Sequence, residues 1–239
     1  MKDQQCVYPT AVPILDSVLD VIAGDIITGR IKPGQVFTLN DIGQRFDISR
    51  TVSREVMRAL EQRGLASASR RVGITVLDRS HWNAFDPLII RLRLEDRELR
   101  IPQLRSLNEL RIGIEPLAAR RSAEFASEAQ RERLVELAAE LACLGNERKA
   151  NTQEFLIADC EFHSVLLEAS HNEMFSGLTP LLLMVLQART AHRLQPATPA
   201  EGVMDHHVDL AQAIARGDGA EAERLTHAIL AEVNAFLES

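Results

Sequence analysis

The stretch Ile48–Leu65, ISRTVSREVMRALEQRGL, decides the architecture of the first part of the chain. Arg50, Arg54 and Arg58 recur every four residues and so line one side of a helix. Val52, Val56 and Leu60 repeat with the same spacing on another side. The Ser49 hydroxyl stands where it can accept a first-turn N–H, and Gly64 stands where the helix should end. Asp47-Ile48 leaves only a tight turn before it.

Working outward, residues 11–29 predict an amphipathic helix with Val18, Leu19, Ile22, Ile26 and Ile27 on its apolar face and Gly29 at its stop. Lys32-Pro33-Gly34 is a turn. A short helix follows at about Leu39–Phe46, capped by Thr38 or Asn40. After the arginine-edged helix, LASASRRVGITV reads as two short strands around a turn at Arg70–Gly73. Helix, helix, turn, helix and a β wing make a winged helix-turn-helix. In that motif the second helix enters the DNA major groove N-terminus first. Its first turn offers unpaired N–H groups and a positive dipole end to phosphate. Arg50, Thr51, Ser53 and Arg54 are therefore expected at that end and on the outward face, with Arg71 and Gly73 on the wing. The plainer alternative is a basic stripe that solvates a helix face beside Glu55 and Glu61. The flanking turn, cap and wing favour DNA.

Composition agrees with this division. The 239 residues are 46% hydrophobic but only 4% aromatic, so aliphatic side chains must do the packing. The net charge of −7 is uneven. Residues 1–80 carry 11 Lys+Arg against 9 Asp+Glu, and residues 81–239 carry 16 against 25. Seven arginines and three acids lie between Arg45 and Arg71, so whole-chain charge is the wrong test for nucleic-acid binding. No apolar run reaches the ~18–20 residues of a membrane span. The three cysteines lack metal-type spacing, and their odd number suits a reducing cytoplasm.

From residue 79 onward the pattern changes. Residues 79–102 read as a linker and connecting helix, with Asp86-Pro87 as a helix start. Helices are expected near 103–126, 128–144, 151–170, 172–194, 200–216 and 218–237, an all-α bundle over 103–239. The winged helix-turn-helix is assigned to 10–78. On the third bundle helix Phe155, Asp159, Phe162, His163 and Leu166 share one face, so a carboxylate and an imidazole lie among apolar residues. A mutual Asp–His hydrogen bond would account for them. His207 lies on a second apolar stripe with Val203, Leu210 and Ile214. Asp plus two His can also bind a divalent transition metal and leave positions open. Arg111, on the face with Leu107, Ile114 and Ala118, either pairs with Glu115 four residues on or clamps an effector carboxylate. Arg189 is a further candidate for the same pocket. Asn172 is either a helix cap or a ligand contact.

The stretch PGQVFTLNDIGQRFDISRTVSREVMRALEQRGLASASRRVGITV resembles the winged helix of the GntR family, a likeness covering about residues 12–77. It implies operator contacts from Arg50, Thr51, Ser53 and Arg54 and a minor-groove wing at Gly73. Leu39-Asn40-Asp41 departs from the family's usual Glu-Arg-Glu, so the operator sequence does not carry over. Residues 105–237 resemble the FCD ligand-sensing domain of the FadR branch, through LNELRIGIEPLAARRSAEFAS, DCEFHSVLLEASHN and HVDLAQAIARGD. The resemblance implies a metal site of one Asp and three His. Asp159, His163 and His207 fill three places, and the fourth aligns with Ile229. His227 and His206 fall off the inward stripes. A three-ligand site should hold Zn, Ni or Mn more weakly. RSHWNAFDPLII (79–90) resembles galactonate-type regulators of sugar-acid catabolism.

These features together lead us to expect a mainly α, cytoplasmic, homodimeric repressor on a palindromic operator. Its effector would be a small carboxylate or sugar acid bound near the metal. The alternatives are a metal-responsive regulator and a metal-dependent enzyme using the Asp/His/His set.

Overall fold

The structure, a computed structural model, describes residues 14–69, 72–194 and 203–238, with side chains omitted at 203–204 and 234–238. It divides into two compact units, 1–96 and 97–239.

In the first unit, α1 (Ile14–Ile27), α2 (Leu39–Phe46) and α3 (Arg50–Gln62) form where the apolar spacing predicts. Thr38, not Asn40, caps α2, and it does so as a full capping box with Asp41. Ser49 caps α3. The wing has three strands rather than two: β1 (Val36–Phe37), β2 (Ala66–Ser69) and β3 (Gly73–Val76), in antiparallel order β1-β3-β2. Val56 and Leu60 of α3 are buried, as are Ile22, Ile26, Ile42, Leu65 and Ile74 of the same unit. Asp25, buried on α1, receives Arg30 at 2.5 Å and Arg45 of α2 at 2.6 Å. Burial raises its carboxyl, but the two guanidinium groups outweigh that and hold it below the usual range.

Segment 79–102 is not a free tether. A short turn at Arg79–His81 leads to α4 (Pro87–Glu95), capped by Asp86, which accepts from Leu88 N and Ile89 N. The Asn83 N–H donates to the Arg63 carbonyl at 2.9 Å, and Arg63 Nε pairs with Asp86 at 3.3 Å. Gly64, at φ 72°, lets the backbone pass His81, since a Cβ there would sit 2.0 Å from the His81 carbonyl oxygen. Arg91 of α4 reaches Asp20 of α1 at 2.7 Å. Residues 79–96 of the expected linker thus fall in the first unit. The W-N-x-x-D run that suggested sugar-acid regulators is used structurally: Trp82 Nε1 donates to the Leu77 carbonyl, Asn83 accepts from Phe85 N, and Asp86 caps.

The second unit is the expected helical bundle. It comprises α5 (Arg100–Phe125), α6 (Glu128–Asn146), α7 (Gln153–Ala169), α8 (Glu173–Ala191), α9 (Val203–Arg216) and α10 (Gly219–Glu238). Its core is aliphatic, with Leu134, Leu137, Leu141, Leu166, Leu210, Ile214 and Leu225 packed around Phe155 and Phe162. Against that apolar interior the buried ionisable groups of α5, α7 and α9 are conspicuous.

Candidate functional site

The basic edge survives folding in part. Arg50, Thr51 and Arg54 are exposed at the capped start of α3. Arg58 is exposed too, but Glu55 accepts its Nη1 at 2.8 Å and offsets its charge. A groove of about 1270 Å³ runs past Arg50, Arg54 and Arg58 between α2, α3 and the wing, lined also by Asn40, Gln44, Ser69 and Gly73. Ser53 is a correction. It is fully buried, and its hydroxyl donates to the Ser49 carbonyl at 3.1 Å. One residue before Arg54 on a helix means a turn of about 100°, which carries Ser53 from the outward face onto α2. Gly73, at φ 108°, has a structural reason of its own: a Cβ would meet the Phe37 carbonyl oxygen at 3.0 Å. Arg71 lies outside the described residues.

In the second unit the expected trio comes together. Asp159 and His163 stand one turn apart on α7, and His207 comes from α9; all three are buried. One ligand atom from each lies within 4.8 Å of the others. His163 Nε2 is 3.5 Å and His207 Nε2 3.9 Å from Asp159 Oδ1. The first is at the outer limit of a hydrogen bond and the second is beyond it. They are close to the ~3.4 Å separation of two ligands set ~2.1 Å from one tetrahedral ion. Phe162 packs edge-on to both rings, at 5.7 and 5.5 Å between centroids.

Glu115 was foreseen only as a partner of Arg111. It is that, and more. Arg111 Nε donates to Oε1 at 2.6 Å and Nη2 to Oε2 at 3.2 Å, both residues being fully buried on α5. Glu115 Oε2 also lies 2.9 Å from His163 Nδ1. A carboxylate on Nδ1 leaves the Nε2 lone pair directed at Asp159, the arrangement that orients metal-binding histidines. Arg111 Nη2 is 3.4 Å from His163 Nδ1 and 3.1 Å from Nε2. The guanidinium thus lies within hydrogen-bonding reach of both ring nitrogens. Burial raises the carboxyls of Glu115 and Asp159, but Arg111 and His163 outweigh it at Glu115, and His163 outweighs it at Asp159. Each is held at about 2. Burial lowers His163, yet Glu115 and Asp159 carry it above its ordinary value. Burial lifts the neighbouring Cys160 thiol to about 11, so it stays protonated.

The donor set fits a divalent transition metal: one carboxylate, two imidazoles, and a carboxylate behind one of them. Ile229 is buried and His227 exposed, so neither supplies a fourth ligand. His206 instead faces Glu232, 3.7 Å away. Arg189 on α8 feels the charges of Asp159 and Arg111. Asn172 caps α8, its Oδ1 accepting from Met174 N at 3.0 Å. It lies beyond the end of α7 at Ala169, and the cap reading is the one the fold uses.

The gntR family model of bacterial regulatory proteins matches residues 15–76, and the FCD domain model matches residues 106–232. The chain is a GntR-family regulator with an FCD domain. It is 27% identical over 223 residues to the galactonate operon transcriptional repressor of Escherichia coli K12, covering 90% of this chain and 93% of that one. It is also 27% identical over 219 residues to the HTH-type transcriptional regulator LutR of Bacillus subtilis 168, covering 89% and 95%. The structure of Lar, which controls expression of the Listeria monocytogenes agr system, matches with a TM-score of 0.59 over 96% of this chain and 99% of that one. At 14% identity that likeness concerns the fold alone. This regulator is therefore a DNA-binding transcription factor and not an enzyme. Among the described residues no helix is long and apolar enough to cross a membrane.

Proposed function

We propose that this regulator is a cytoplasmic, homodimeric repressor that reads a palindromic operator and leaves it when a small carboxylate of the sugar-acid class binds inside the FCD bundle. The observation that carries the sensing half is the buried chain of charge from Arg111 through Glu115 and His163 to Asp159 and His207. Such a network adds little net stability to a bundle that already has an aliphatic core, because desolvation offsets its attraction. Its use is to recognise a charged ligand. Similarity over nine-tenths of the chain to the galactonate operon repressor supports the sugar-acid class and the sign of regulation.

On the DNA side, Arg50, Thr51 and Arg54 meet the major groove, the arginines through guanine edges or phosphate. Gly73 of the wing lies toward the minor groove. Two copies match a two-fold operator. On the effector side, a divalent ion such as Zn, Ni or Mn held by Asp159, His163 and His207 would supply a Lewis-acidic attachment point for effector oxygens. The residues themselves exclude water and position the ligand: Phe162 walls the two imidazoles, and Glu115 fixes the His163 tautomer. The effector releases DNA only if it binds one arrangement of the dimer better than the other.

The test begins with selection of duplexes from a random pool on the purified protein, followed by fluorescence anisotropy on the selected site. Two inverted half-sites, released by galactonate or a related acid, are expected. A selected site without inverted symmetry removes the dimer reading. Release by metal alone, with every acid silent, makes the metal itself the signal.

A further inference from the structure

The buried cluster carries a cation of its own beside its metal-binding face. Glu115 and Asp159 are both carboxylates of the bundle interior. Two buried negative charges need positive charge close by. Arg111 supplies it, donating to Glu115 at 2.6 Å from Nε and at 3.2 Å from Nη2. The same Nη2 lies 3.1 Å from His163 Nε2, which is itself 3.5 Å from Asp159 Oδ1. A metal ion on Asp159, His163 and His207 would answer those same two carboxylates. Arg111 and the ion are thus alternative counter-cations for one set of anions.

The distances bound how near the two would come. Glu115 takes Nδ1 of His163, so Nε2 is the ring nitrogen left for an ion. With Nη2 at 3.1 Å from Nε2, an ion ~2.1 Å from Nε2 stands no more than about 5.2 Å from Nη2. Glu115 sits on the opposite nitrogen of the ring, so it offsets the guanidinium from farther away. Like charges that close repel strongly where water does not screen them. Arg111 has no retreat into solvent, because it is 1% exposed and held to Glu115 by two of its nitrogens.

We propose that Arg111 is a built-in competitor of the metal ion: its charge stabilises the cluster without metal and keeps metal affinity low enough for the ion to exchange. It acts through charge and is not itself a ligand. The same three ligands without Arg111 would make a permanent structural site; with it, occupancy follows the metal supply. This assignment rests on the reading of Asp159, His163 and His207 as a metal site and names what regulates its filling.

The experiment measures Zn²⁺ affinity of the full-length protein by competition with a chromophoric chelator, and melting temperature with Zn²⁺ or with EDTA. Arg111→Met keeps much of the side chain's bulk and removes its charge. It is expected to bind Zn²⁺ at least about tenfold more tightly than the wild type, as the loss of a close buried like charge requires. In EDTA it should melt below the wild type, since Glu115 and Asp159 then lack their cation, and Zn²⁺ should restore the loss. Arg111→Lys keeps the charge and should stay near the wild-type affinity. Damage to a fold loosens a metal site, so tightening is a readout that a merely structural Arg111 would not give. Should Arg111→Met fail to fold, the comparison moves to the Glu115→Gln background, where no partner carboxylate is stranded. Adding Arg111→Met there is expected to tighten Zn²⁺ binding relative to Glu115→Gln alone. Unchanged or weaker affinity on removing Arg111, in whichever background folds, overturns the competition and leaves the metal site standing. No Zn²⁺ binding by the wild type or by any variant overturns the metal reading, and this assignment with it.

Discussion

Glu115 Oε2 and His163 Nδ1 lie 2.9 Å apart inside the bundle, joining α5 to α7. The contact sets which His163 nitrogen faces Asp159, and it gives Glu115 two duties, since Arg111 also depends on it. Glu115→Gln should therefore weaken Zn²⁺ binding by about 10–100-fold, as loss of an orienting partner does. It should also cost about 3–5 kcal/mol of stability by leaving Arg111 buried and uncompensated. Chelator competition reads the first and urea unfolding the second. Lost stability with unchanged metal affinity would reduce Glu115 to a partner of Arg111.

The same cluster sets a pH profile with two limbs. The Glu115 and Asp159 carboxyls sit at about 2 in the folded protein, below their ordinary 4.5 and 3.8. The unfolded chain therefore binds more protons in acid, and their contribution, present above pH ~5, is lost as pH falls toward 2. His163 is shifted the other way, above 6.5. Its contribution is complete below that value and is lost as pH rises through the folded one. Melting temperatures with chelator present should fall on both sides, and Glu115→Gln should flatten the acid side. An acid side identical in the two proteins would refute the assignment.

Arg54 and Ser53 are neighbours with opposite fates. Arg54→Ala should weaken operator binding and lower the salt dependence by about one phosphate contact if it meets the backbone, or relax one base position if it meets guanine. Effector binding should be untouched. Ser53→Ala should leave operator affinity as it is and lower stability by about 1 kcal/mol, because it removes only the bond to the Ser49 carbonyl. Anisotropy at several salt concentrations decides; retained affinity in Arg54→Ala would undo the groove assignment.

Ile229 offers a gain-of-function test. It is buried on α10 where a fourth ligand would stand by resemblance. Ile229→His should tighten Zn²⁺ binding at least tenfold and make the metal harder to strip with chelator. No tightening would mean that this position does not look onto the Asp159 site.

Local signals made most of the fold legible. Ser49 and Asp86 cap their helices, as hydroxyl or carboxylate before an amphipathic run predicts. The trio Asp159, His163 and His207 was visible because two apolar stripes carried polar residues. Local signals were insufficient elsewhere. Val36–Phe37 is too short to announce a strand and exists because β3 pairs with it. The inward turn of Ser53 was masked by the basic residues on either side. Glu115 could be read as an i,i+4 partner of Arg111, but its contact with His163 spans 48 positions and has no local signature. The spent clamp edge of Arg111 follows from that same contact set.

The docking of α4 on the first unit has a practical side. A DNA-reading head cut at residue 78 would lose Asp86, which holds Arg63 at the end of α3, and Arg91, which holds α1. It would also lose Ile89 and Ile90, now buried, and uncover the face of α1 against which α4 packs. We expect the exchangeable cassette for building hybrid regulators to run through Asp96, where the first compact unit ends. Grafts spliced there carry their own buttress, whereas grafts spliced after the wing must borrow one from a foreign sensor.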